Sequence, residues 1–162
     1  MNFMLATIDA GTMRTPLGET PVSGRLRQAL DHANAPRELI IGIRPESFED
    51  AALVPADARQ NGIAFRATID VLESMGSDVY VYFSKEIERG VDAAELAELA
   101  RDSGRADTGG SGDTVVARID TATRIREGDD AELWADLRSM HVFDPANGRN
   151  IALDLAGRGE HP

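Results

Sequence analysis

Residues 38–53 read ELIIGIRPESFEDAAL. Leu39, Ile40, Ile41 and Ile43 offer water neither face of the segment, so Glu38–Ile43 is predicted as a strand buried on both sides. Pro45 ends it. Proline has no N–H for a ladder and drives the preceding Arg44 into extended backbone, so the chain should leave its sheet at Arg44-Pro45-Glu46. A segment near the other end, MHVFDPANGRNIAL (residues 140–153), is punctuated in the same way. Its apolar run stops at Asp144-Pro145 and resumes after Gly148, which predicts a strand pair, 140–143 and 150–153, joined by a type I reversal.

Working outward, the remaining segments are also mostly short strands. Residues 3–9 and the following GTMRTPLGETPV break at Gly11 and at Pro16-Leu17-Gly18, as small antiparallel strands do. Ser23 is placed to cap a helix whose apolar residues Leu26, Ala29, Leu30 and Ala33 fall at i, i+3, i+4 and i+7, and Asn34-Ala35-Pro36 stops it. Phe65, Ala67, Ile69 and Val71 alternate with polar residues, predicting one strand with a single buried face. Met75-Gly76-Ser77-Asp78 then turns the chain into residues 79–83, VYVYF. Asp92 and Glu95 resemble a capping box for a second helix carrying Ala93, Leu96, Ala97 and Ala100, and residues 106–113, ADTGGSGD, have linker composition. Residues 115–119 and the alternation of Ala131, Leu133 and Ala135 give two more strands. The fold class expected is mainly β: one or more small antiparallel barrels of the oligonucleotide-binding (OB) type, decorated by two short helices.

Composition narrows the function. With 162 residues, 42% of them hydrophobic and 28% charged, the chain can bury a real core. The net charge of −11 opposes binding to nucleic acid or to anionic membrane surfaces, both of which are gripped by cations. No apolar run approaches the ~20 residues that cross a bilayer, and no signal peptide opens the chain. Without cysteine there is neither a disulfide framework nor a thiolate metal site. A cytoplasmic protein is expected.

No reacting centre emerges from the motifs. The single lysine, Lys85, follows Ser84 where a phosphate-cradling loop requires glycine. His32, His141 and His161 are scattered, and residues 127–130 lack the spacing of a calcium loop. There is no Gly-x-Ser-x-Gly elbow. Trp134, Tyr80, Tyr82 and Phe83 could form a stacking platform for single strands, but the acidic composition leaves them to pack a small core. No catalytic, cofactor-binding or metal-binding residue is expected.

IGIRPESFE (residues 41–49) resembles a signature of bacterial ABC importer ATPases of the maltose-importer type, found in the C-terminal regulatory (TOBE/OB-type) region of their ATP-binding subunits. MNF at residues 1–3 is similar to the junction where that region begins, and IDVLESMGSDVYVYF (69–83) to the hairpin that follows. VVARIDTATRIREGDDAELWAD (115–136) and HVFDPANGRNI (141–151) resemble its later motifs, in the same order. The resemblance implies a regulatory domain over 1–162 with the nucleotide-binding domain absent, so ATP and Mg would belong to that missing domain and this chain would hydrolyse nothing. Residues 86–113 depart from the pattern and read as an insertion. The implied partners are a second copy of the chain, the nucleotide-binding domain and the membrane permease subunits, with no nucleic acid and no direct membrane insertion. The implied location is cytoplasmic, peripheral on the inner face of the membrane. The implied cargo is a sugar or a related solute such as a glycerol phosphate. A different class of function, a barrel that senses a sugar or oxyanion, is the alternative.

For a tethering domain the residues of interest are Gly42, Arg44, Pro45, Glu46, Phe143 and Asp144. Gly42 permits close strand approach and Pro45 fixes the exit of the chain. Arg44 is expected either to pair locally with Glu46 or Asp144 or, equally, to serve an interface, and Phe143 to anchor the core, its removal costing about 3–5 kcal/mol.

Overall fold

The computed structural model describes residues 1–85 and 114–152. The second helix and the linker expected within 86–113, and Leu153 with the tail, lie outside the described residues. Within them the chain is mainly β, as expected, with every strand pairing antiparallel.

The opening segment forms β4 (Glu38–Ile43), the best-protected strand of the first sheet. Leu39, Ile40, Ile41 and Ile43 are all wholly buried. The reason is position: β1 (Asn2–Asp9) pairs on one side of β4 and β11 (His141–Phe143) on the other. β2 (Thr12–Thr15) and β3 (Gly18–Pro21) complete the sheet, in the order β11-β4-β1-β2-β3. Helix α1 (Gly24–His32) follows, with the Ser23 hydroxyl accepting the Leu26 amide at 3.3 Å and Ala29 and Leu30 turned into the core.

After β4 the chain turns through a 3-10 segment, Pro45–Ser47, into β5 (Phe48–Asp50), which lies in a second sheet beside β10 (Asp130–Asp136), itself followed by β6 (Gly62–Thr68). The predicted exit at Pro45 is therefore a transfer between sheets. A second transfer corrects the sequence reading. The alternation of residues 65–71 is not one strand: β6 belongs to the second sheet, whereas β7 (Val71–Ser74) belongs to a third, beside β8 (Val79–Ser84), itself followed by β9 (Thr114–Ile119). Ile69 still bonds towards β10, giving its amide to the Asp129 carbonyl at 2.9 Å and accepting from the Gly128 amide at 2.8 Å. One residue later the Asp70 amide donates to Tyr82 of β8 at 2.8 Å. Ile69 is thus buried, while Val71 on the new strand is 42% exposed. β7 and β8 form the predicted hairpin, closed by the Met75 amide on the Asp78 carbonyl, and β9 pairs with the far side of β8.

One apolar core joins the three sheets and α1. At its centre Phe48, Phe65 and Phe83 meet, with centroid separations of 5.6–6.2 Å and two edge-to-face contacts. Trp134, on the other face of β10, packs with Ala51 and Val54 in a satellite cluster and donates its indole N–H to the Arg59 carbonyl at 3.2 Å. Arg59 in turn donates to the carbonyls of Ala51 and Val54, fixing that loop.

Gly62 has a steric duty. A Cβ there would run into the Ala135 carbonyl oxygen and lie 2.6 Å from the Trp134 ring. Gly62→Ala is accordingly expected to lower stability by about 1–3 kcal/mol in urea denaturation, through forced movement of β6 against β10.

The closing segment also differs from its prediction. Residues 150–153 form no strand within the described residues; a single bridge joins Phe143 to Asn150, and the Ile151 amide donates to Val142 at 2.7 Å. The turn before it is closed by the Gly148 amide on the Asp144 carbonyl, one residue further on than a type I turn would close, with Gly148 at φ +68°.

Candidate interaction surface

The six residues singled out from the sequence lie around β4 and β11. Gly42 sits opposite Phe3 on β1 and His141 on β11. A Cβ on Gly42 would fall 2.5 Å from the Met1 sulfur and 3.2 Å from Cε2 of Phe143, so the missing side chain makes room for side chains covering the sheet. Phe143 is only half-buried, packing edge-on against Phe3 at 5.8 Å and stacking on His141. The core residue of β11 is Val142, on the opposite face. That corrects the role expected for Phe143, and Phe143→Ala should cost about 1–2 kcal/mol by chemical denaturation, well below a core phenylalanine.

Pro45 is buried, as its place at the sheet exit requires. Arg44 and Glu46 are exposed, and neither expected ion pair to Arg44 forms. The Asp144 carboxylate is engaged by its own turn, accepting from the Ala146 amide at 2.9 Å and the Asn147 side chain at 3.1 Å. A local Asp-Pro turn satisfies that carboxylate without help from a distant guanidinium. Arg44 instead acts on His141: burial, and then the Arg44 charge, hold the imidazole below its ordinary pKa.

Three polar side chains that sequence reading missed hold the sheets together. The Asn2 carboxamide donates to the carbonyls of Ile43 at 3.1 Å and Val116 at 2.8 Å, while its oxygen accepts the Val116 amide at 2.9 Å. It behaves as a peptide unit inserted between the first sheet and β9. Asp50, also buried, accepts the Thr123 hydroxyl at 2.6 Å and the Ala52 amide at 2.9 Å. Beside it Glu49 accepts the Asp120 amide at 3.1 Å. Residues 41–49 and 115–136, two stretches that drew attention as motifs, are thus tied to one another. Every buried side-chain nitrogen and oxygen among the described residues has a partner. No group of three or more potential metal ligands occurs among them, and no described helix is long and apolar enough to cross a membrane.

The surroundings of Asp136 shift its pKa. Burial pushes its pKa up, but hydrogen bonds from the Arg138 side chain and backbone, with the guanidinium charge, bring it below the usual aspartate value. A lowered folded-state pKa contributes stability that is present above the unfolded aspartate pKa and lost as pH falls through the folded value. Asp136→Asn should therefore flatten a small acid-side slope in the pH dependence of stability; the pair is a surface one, so the effect is modest.

Comparison with known proteins places this scaffold. The chain is 31% identical over 153 residues to the trehalose import ATP-binding protein SugC of Mycobacterium tuberculosis, a match that covers 94% of the chain. The chain is homologous to the C-terminal part of import ATP-binding proteins. It spans 38% of the length of SugC and matches the C-terminal part. Other relatives include the sn-glycerol-3-phosphate import ATP-binding protein UgpC of Cupriavidus metallidurans, 24% identical over 81% of the chain and 28% of the relative. The trehalose/maltose import ATP-binding protein MalK of Thermococcus litoralis is 25% identical over 71% of the chain and 24% of its own length. No family model matches the chain. The stretches that drew attention as motifs fall where the chain passes between sheets and where Glu49 and Asp50 bind the 120–123 turn, positions that serve the scaffold.

Proposed function

We infer that the chain is the non-catalytic regulatory and dimerisation module of an ATP-binding import subunit, with β sheets arranged in the OB-like manner. It holds two copies together while nucleotide, with Mg, is bound by a part of the protein that this chain does not match. The observation that carries the reading is the asymmetry of the match: nearly all of this chain aligns with little more than a third of SugC. The polar contacts of Asn2, Glu49 and Asp50 support it, because they join separate sheets and turns into one scaffold. In the assembled importer the module sits on the cytoplasmic side beside the permease subunits, and the solute is a sugar or a glycerol phosphate, as the names of the relatives suggest.

The test is nucleotide turnover and ligand response by the purified chain. Phosphate release from Mg-ATP is expected to stay at the level of buffer, and sustained turnover would contradict the reading. Titration with trehalose, maltose or glycerol 3-phosphate is expected to leave the thermal midpoint unmoved. A saturable upward shift would instead support a ligand-sensing barrel.

A further inference from the structure

His141 sits at the point where the closing segment is fastened to β11. Its Nδ1 lies 2.8 Å from Nδ2 of Asn150, and the Asn150 side chain is oriented by a second bond, its Oδ1 accepting the Ala152 amide at 3.1 Å. That second bond settles the direction of the first. With the oxygen committed to Ala152, the amide nitrogen faces the ring and donates, so Nδ1 must be a bare acceptor and the ring proton must sit on Nε2. An imidazolium carries protons on both nitrogens and would set N–H against N–H. Turning the Asn150 amide over would restore the ring contact but would point its NH2 at the Ala152 amide. Neither orientation of Asn150 satisfies a protonated ring.

Among the described residues no carboxylate acts on the ring to ease protonation. From the end of β4 the charged group acting on the ring is Arg44; β1, across Gly42, presents Phe3; β11 itself presents Phe143, stacked at 6.2 Å; the closing segment presents the neutral Asn150. Ile151, the next residue, is wholly buried, and its amide donates to Val142.

We propose that His141 is an acid-sensitive latch: protonation of Nδ1 breaks its bond with Asn150 and releases the segment that seats Ile151 in the core. Burial and Arg44 favour the neutral ring, so the latch is fully closed above the unfolded histidine pKa of ~6.5 and loses protection as pH falls towards the lower folded value. The proposal is independent of any role in import.

Amide hydrogen exchange, corrected for intrinsic rates, tests it on the whole chain. Between about pH 7.5 and about pH 5, either side of the ordinary histidine pKa, protection at Ile151 and Ala152 should fall by about tenfold while that at Ile41 holds. In His141→Asn the side-chain oxygen takes the place of Nδ1 and can still accept from Asn150 but does not titrate, so protection there should be independent of pH. Unchanged protection at Ile151 in the native chain, or an equal fall in the variant, would overturn the latch. Should the variant fail to fold, the ring nitrogen shifts of the native chain decide the matter: a bare Nδ1 at neutral pH is expected, and a protonated Nδ1 would overturn it.

Discussion

Asn2→Asp is expected to be among the most damaging single changes to this chain, lowering stability at neutral pH by about 3–5 kcal/mol, the cost of a buried charge without a partner. The carboxamide satisfies two carbonyls and one amide belonging to two different sheets. A carboxylate keeps the bond from the Val116 amide but turns an acceptor oxygen towards the carbonyls of Ile43 and Val116. Repulsion then adds to the cost of burial. The sign with pH follows from this. Burial and the two carbonyls raise the folded pKa of the new carboxyl, so the penalty is present above that raised value and shrinks as pH falls towards the unfolded value of ~3.9. Asn2→Ala carries no such pH dependence and should cost about 2–3 kcal/mol, because it leaves the same backbone groups without their partner. Urea denaturation of the two variants across pH separates the charge effect from the lost hydrogen bonds.

Phe48→Ala is the second large effect. Phe48 is almost wholly buried and is the ring of β5 that meets Phe65 of β6 and Phe83 of β8, so one side chain from just beyond the Pro45 transfer binds two sheets. Truncation removes its burial and leaves a cavity flanked by two rings on different sheets, which cannot both collapse into it; the expected loss is about 3–5 kcal/mol. Phe143→Ala on the half-buried outer face supplies the comparison. A smaller loss for Phe48 than for Phe143 in the same denaturation series would contradict the placement of the core.

Much of the fold was legible because its signals are local. Pro45, Gly11 and Gly148 mark where segments stop, and the β-branched run of β4 and the cap at Ser23 declare their own conformations. What stayed hidden depends on sheet membership. The alternation of Phe65, Ala67, Ile69 and Val71 is continuous in sequence, yet the ladder changes partner between Ile69 and Asp70, because Asp129 and Tyr82 compete for successive amides. No residue type marks that change. Asn2 was invisible for a related reason: its partner at Val116 is 114 positions away, and an asparagine near a chain end commonly faces water. The importance of Gly42 was legible, but its cause was not, since the neighbours it admits are Met1 and Phe143. Arg44 was matched to nearby carboxylates on charge alone, and the Asp144 turn had already used the better of them.

We propose above that this chain is an assembly module, built to hold another copy of itself. Static light scattering of the purified chain across a dilution series tests that most directly. The expected result is twice the mass of one chain at high concentration, falling towards a single chain on dilution and unaffected by Mg-ATP. A single-chain mass at every concentration would contradict it.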